Sequence, residues 1–159
     1  MEGRTGQAKA GQYLTFVLKG RAYGLPIFTV REINQVTDIT PVPQTPDFVI
    51  GVINLRGKVI PVVDLRLKFG LDFTPYNRET CIIVIEGENG QIGMIVDQVS
   101  EVVEFVQERI EPSPVLGDEL NFITGMGKLE DRVIILVDIV KALSTDAMMG
   151  SDKIKKLAA

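Results

Sequence analysis

Histidine is absent from the 159 residues, and Cys81 is the single cysteine. Without histidine the chain has no general base titrating near neutral pH, lacks the commonest metal ligand and has no phosphohistidine relay. One cysteine cannot close an intrachain disulfide. Its place in the apolar run Cys81-Ile82-Ile83-Val84-Ile85 predicts a buried, inert thiol in a reducing cytosol. No apolar stretch approaches the roughly 18 residues of a spanning helix, and Met1 to Gly6 lack the apolar core of a signal peptide. A soluble intracellular protein without membrane insertion is therefore expected. Net positive charge is missing too: 17 basic against 21 acidic side chains leave −4, so no global field draws in nucleic acid or an anionic surface. Partners must be recognised locally.

What is present is a chain 45% hydrophobic, long enough to bury about two-thirds of its unfolded surface. Residues 1–11 and 146–159 are polar or rich in lysine and small residues and read as tails around a body over 12–145. In that body, short runs of β-branched and aromatic residues alternate with glycine, proline and asparagine: 13–18, 22–25, 49–53, 59–63, 81–85, 91–96, 99–106 and 133–137. No amphipathic helix longer than about three turns can be drawn. The class is mainly β, in barrels or a sandwich, with few short helices.

The chain also repeats itself. Tyr23-Gly24-Leu25 recurs as Ile92-Gly93-Met94 and Val30-Arg31-Glu32-Ile33 as Val99-Ser100-Glu101-Val102, both 69 residues on. Ile39-Thr40-Pro41-Val42-Pro43 matches Ile110-Glu111-Pro112-Ser113-Pro114 at 71, and Val59 to Leu65 matches Val133 to Ile139 at 74. Two similar modules, each marginal alone and meeting near residues 70–80, should pack on a shared core with a groove between them.

Several constellations invite chemistry. Asp64 and Asp138, one per copy, suggest a shared carboxylate dyad of the aspartic-protease type. They are followed by Leu65-Arg66 and Ile139-Val140, where such a dyad needs a hydroxyl residue and glycine, so helix N-caps are expected instead. The glycine-containing stretch 117–128 lacks phosphate-loop spacing and reads as loop. Asp97, Glu101 and Glu104 read as a solvated face, since clustered metal ligands are missing. Arg56, in the turn Asn54-Leu55-Arg56-Gly57, stands where the second copy has Lys128-Leu129-Glu130-Asp131. A rigid fork donor not needed to close the fold suits a partner contact; the alternative is a solvated turn arginine or one paired with Glu32.

Tyr23-Gly24, Val30 to Ile33, Ile39 to Pro43, Gly51 to Leu65, Val96-Asp97-Gln98-Val99 and Gly125-Met126-Gly127, in that order, cover roughly residues 12–143. On these motifs the sequence resembles the CheW-like family of bacterial chemotaxis coupling proteins. The resemblance implies two five-stranded SH3-like β-barrel modules on a common core. It also implies a cytoplasmic, non-enzymatic adaptor, without cofactor or metal, that joins chemoreceptor tips to the CheA histidine kinase in membrane-associated arrays. At this length a stand-alone coupler is implied, without a kinase or receiver domain. Receptor contacts would fall on Val30, Ile33, Gly93 and Val99 as groove lining, with Glu32 and Arg56 as a polar pair nearby. The CheW-like domain of CheA would dock at Ile50 and Val59 of the first module, and a second, ring-closing contact would lie near Leu116. The alternative class, an unrelated double-barrel ligand binder or enzyme, would hold a small molecule in the inter-module cleft.

Overall fold

The computed structural model describes residues 8–113 and 122–144. Among the described residues, eleven strands are arranged in two sheets. The hairpin β1 (Gly11–Leu18) and β2 (Arg21–Pro26) is followed by a 3-10 turn over Ile27–Thr29 and by β3 (Val30–Gln35), β4 (Val49–Leu55), β5 (Lys58–Asp64) and the helical turn α1 (Leu65–Lys68). A second series follows: the hairpin β6 (Cys81–Gly87) and β7 (Gly90–Val96), β8 (Gln98–Phe105), β9 (Ile110–Glu111), β10 (Ile123–Lys128), β11 (Val133–Val137) and α2 (Ile139–Ser144). The strand class is as the sequence indicated. Part of the glycine-containing stretch expected as loop is strand β10, because Gly125 and Gly127 take their places in a ladder with β11.

The two sheets repeat one plan but exchange their hairpins. The six-stranded sheet runs β8-β1-β2-β11-β10-β9 and the five-stranded sheet runs β3-β6-β7-β5-β4, with Thr40 bridged to Val52 of β4 where the other sheet has β9. The hairpin of each series thus completes the sheet built by the other, and no cut near residues 70–80 separates them. Each exchange is sealed by a parallel pairing, Leu136 beside Gly24 and Val62 beside Gly93. Glycine suits both close approaches: a Cβ on Gly24 would press on Ile134 and Leu136 at 3.2 Å, and one on Gly93 would lie 2.8 Å from Ile82, close enough to force a shift.

Alternation along the strands divides the apolar side chains among three clusters. Residues such as Phe16, Leu25, Val63, Ile83, Ile85 and Met94 form the central core between the sheets. Ile53, Ile60, Val62, Ile82, Val84 and Ile95 fill the other face of the five-stranded sheet, and Tyr13, Phe105, Ile134 and Leu136 that of the six-stranded one. Strand β6 is therefore buried on both faces, which is why 81–85 read as an uninterrupted apolar run. Cys81 sits at its start, half-buried rather than enclosed, with Sγ 3.2 Å from the Glu79 carbonyl oxygen. At the other end of the chain Ala8 is buried and its N–H donates to the Thr124 carbonyl, so ordered packing begins before Gln12.

Candidate interaction site

Strands β3 and β8 are the equivalent edges of the two sheets. Residues directly opposite in an antiparallel pair share a face. Val30 lies opposite Ile85 and Ile33 opposite Ile83, with a register shift between Val30 and Glu32, so both point to the side of the central core. The same arrangement recurs on β8, where Val99 lies opposite Phe16 and Val102 opposite Leu14. Val30 and Val99 are half-buried and packed against the core, whereas Ile33 and Val102 are 42% and 48% exposed. Each sheet edge therefore carries one anchored and one solvent-facing apolar residue beside the shared core. Val102 was not among the residues singled out from the sequence. Its signal was there, since it is the 69-residue counterpart of Ile33.

Gly93 departs from expectation. It is buried and pairs with Val84 and Val62, so a Cβ at this position would project into the five-stranded sheet's own cluster and not toward the core-side face of β3. It sets the approach of β7 to β5 and has no side chain to present.

Arg56 occupies a two-residue turn with φ of 53°, followed by Gly57 at 85°, and the Asn54 side chain accepts the Gly57 N–H at 2.8 Å. This hairpin geometry projects the guanidinium across the sheet to Glu32 on β3, where Nη1 is 3.3 Å from Oε1 and Nη2 bonds Oε2. Because β3 and the β4–β5 turn belong to opposite ends of the strand order, the pair shows how strongly the sheet curls. The hydrogen bond from Arg56, assisted by one from Asn34, holds the Glu32 carboxyl below its ordinary value. Arg56 remains 71% exposed, with the outer side of its guanidinium open to solvent. The second copy is not without an equivalent: Arg132, in the turn after Lys128, bonds Glu101 at 3.0 Å, and Glu101 is the repeat partner of Glu32. Spacing concealed this, because the second turn is two residues longer and its arginine stands at the far end.

Of the residues expected on the kinase side, Val59 is 47% exposed at the start of β5, and its repeat partner Val133 is 52% exposed. Ile50 is half-buried and packs on the cluster of Ile53, Ile60 and Val62. Leu116 lies outside the described residues. Val59 and Arg56 flank the same β4–β5 turn, with Val59 opposite Asn54.

Asp64 and Asp138 cap their helices, Asp64 accepting the Arg66 N–H and Asp138 the Lys141 N–H, both at 3.0 Å. The first cap holds more than expected. Arg66 is fully buried, and its guanidinium makes a two-pronged pair with Asp64 at 3.0 and 2.9 Å and a third bond to Asp97 at 2.8 Å. The rings of Phe73 and Tyr76 lie 5.6 and 5.5 Å from its central carbon. Asp97 also accepts the Lys19 N–H at 2.7 Å, so it is a tie between the two sheets and not part of a solvated face. Among the described residues, no three potential metal ligands come together, and no helix is long and apolar enough to cross a membrane.

Residues 12–147 match the family model described as CheW-like domain. Over 153 residues the chain is 38% identical to the chemotaxis protein CheW of Klebsiella aerogenes, covering 95% of this chain and 92% of that one. It is 35% identical over 136 residues to CheW of Helicobacter pylori, covering 85% and 82%. A crystal structure of the scaffolding protein TtCheW from Thermoanaerobacter tengcongensis superimposes with a TM-score of 0.79 at 36% identity, over 86% of this chain and 94% of that one. With the duplicated motifs and the two hairpin-exchanging sheets, these matches place the chain in the CheW-like domain family of chemotaxis scaffold proteins.

Proposed function

We propose that this chain is a cytoplasmic, non-enzymatic adaptor that couples chemoreceptor tips to the CheA histidine kinase. The observation that supports it best is the pair of apolar edges, Val30 and Ile33 on β3 with Val99 and Val102 on β8, beside the shared core. A receptor tip is a helical hairpin, and an amphipathic helix binds between apolar walls whose residues recur at its own spacing. Glu32 and Arg56 lie on the rim of that surface, and Val59 begins a separate surface for the kinase domain. Receptor and kinase can then be held at once. The direct test mixes the full chain with a receptor-tip fragment and with the CheW-like domain of CheA. Both should form stable complexes, and a chain that binds neither would end the reading.

Val30→Met tests the groove. The added volume must enter a half-buried site on the core, so a folded protein with a modest loss of about 1–3 kcal/mol is expected. Its receptor-tip affinity should fall about tenfold or more, equivalent to about 1.4 kcal/mol, while kinase-domain binding is retained. Titration of each fragment against both forms separates these outcomes, and unchanged receptor affinity removes β3 from the site.

Arg56→Ala tests the rim. Exposed ion pairs contribute little to stability, so the thermal midpoint should move by no more than about 2 °C. Receptor-dependent kinase activation should nevertheless drop, because the open side of the guanidinium is lost. A midpoint lowered by many degrees would make Arg56 a structural clamp instead. Glu32 protonates below the ordinary carboxylate range in the folded chain, so the clamp is complete at neutral pH and fails only as pH falls through that lowered value.

A further inference from the structure

The duplication leaves one site filled in the first copy and open in the second. Asp64-Leu65-Arg66 corresponds to Asp138-Ile139-Val140, and Asp97 corresponds to Phe28. The backbone equivalence is exact in its bonds: the Asp64 N–H donates to the Phe48 carbonyl and the Asp138 N–H to the Phe122 carbonyl, 74 residues on. In the first copy the space over the aspartate is occupied by the buried Arg66 guanidinium, backed by Phe73 and Tyr76. In the second copy the arginine is a valine, and a cavity of ≈ 530 Å³ lies there, bordered by Asp138, Val140, Phe28, Ile27 and Thr124. Phe28 is 76% exposed, the most of the large hydrophobic residues among those described, and it borders the cavity. Lys9, which also borders it, is exposed.

We propose that this cavity receives an arginine side chain from a partner polypeptide, with its guanidinium paired to Asp138 and laid against Phe28. The first copy supplies the template. There the capping aspartate at the start of α1 forks onto a guanidinium, Oδ1 accepting both the cap N–H and Nε while Oδ2 accepts Nη2. Asp138 also caps its helix with one oxygen, on the Lys141 N–H, one residue further along than in the first copy. An arginine fits better than a lysine, since the planar fork matches a carboxylate at two points and stacks on a ring. The ring is worth most to a cation that is partly withdrawn from water, as it is inside a cavity. This inference stands apart from the adaptor reading.

The test is a titration of the isotope-labelled full chain with N-acetyl-arginine amide, followed by amide chemical shifts. Saturable shifts are expected at Phe28, Thr29, Ile139 and Val140, with millimolar affinity. The neutral isostere N-acetyl-citrulline amide should leave these signals in place. Asp138→Asn keeps an oxygen for the cap and removes the charge, and should weaken the probe at least fivefold. Phe28→Leu, at an exposed position, should weaken it two- to threefold. Val140→Arg rebuilds the first copy's sequence in the second and should abolish probe binding while raising the thermal midpoint. Equal shifts with citrulline, or full affinity in both Asp138→Asn and Phe28→Leu, would overturn the proposal. Probe shifts that emerge only in Arg4→Gln would also overturn it, by showing that the chain's own arginine is the occupant.

Discussion

Arg66→Ala is expected to lower the stability of the fold by about 3–5 kcal/mol, the usual consequence of removing one partner from a buried ion pair. For a chain of this size that is a fall in thermal midpoint of more than about 6 °C. Asp64 is fully buried, and of its three hydrogen bonds with residue 66 only the one from the backbone N–H would survive the substitution. Hydrogen bonding to Asp64 raises Arg66 above the ordinary guanidinium value against the opposing effect of burial, so it is a cation at any accessible pH. The loss would not stay local. Asp97 lies between β7 and β8, where the chain crosses from one sheet to the other, and its second oxygen holds Lys19 in the β1–β2 turn. Arg66→Lys retains charge without the fork and should fall between wild type and alanine. A urea or thermal melt reads all three, and an alanine variant within about 3 °C of wild type would mean that water replaces the guanidinium at little cost.

The contrast between Arg66 and Arg56 explains what the sequence could disclose. Strands betrayed themselves by β-branched runs between turn residues, and the duplication by repeated triplets at near-constant offset, since both are local patterns. The exchange of hairpins is not local. Nothing in Tyr13 to Leu18 tells that its neighbours are β2 and the distant β8, because pairing is decided by which edges the central core brings together. Arg66 was passed over for the same reason: in sequence it is one charged residue in a helical turn, and its partners Asp97, Phe73 and Tyr76 converge only after folding. Glycine misled in the opposite direction. Gly93 stands within the repeated triplet Ile92-Gly93-Met94, but a glycine that is needed for close strand approach and one that borders a groove look alike until the direction of its absent Cβ is known. Two apolar strand residues that the resemblance places at partner contacts differ from Gly93. Ile33 and Val59 are both open to solvent, and their counterparts Val102 and Val133 could have been named from the repeat alone.

Val59→Glu should abolish binding of the kinase's CheW-like domain and leave receptor-tip binding intact. Val59 is the residue before Ile60, where β5 turns from solvent into the interior: Ile60 to Asp64 are all buried, and Val59 is 47% exposed. A carboxylate there is hydrated in the free chain, so stability should change by no more than about 0.5 kcal/mol. In a complex that buries this strand end it would be stripped of water without a counter-charge. Of the two nearby cations, Arg56 is paired with Glu32, and Lys58, the preceding residue on the strand, projects to the opposite face. A loss of about 100-fold or more in affinity follows, about 2.7 kcal/mol. Val133→Glu is the matched control, because it adds the same charge at the equivalent end of β11, with 52% exposure, on the other sheet. If the kinase domain docks at the first copy, calorimetric titration will show Val59→Glu silent and Val133→Glu near wild type. The reverse result would move the kinase surface to the second copy, and equal losses from two folded variants would mean that the quasi-equivalent faces are used interchangeably. Loss of receptor binding in folded Val59→Glu would instead merge the two surfaces, since β5 and β3 are joined by the Arg56–Glu32 pair and a partner broad enough to cover both would feel either change.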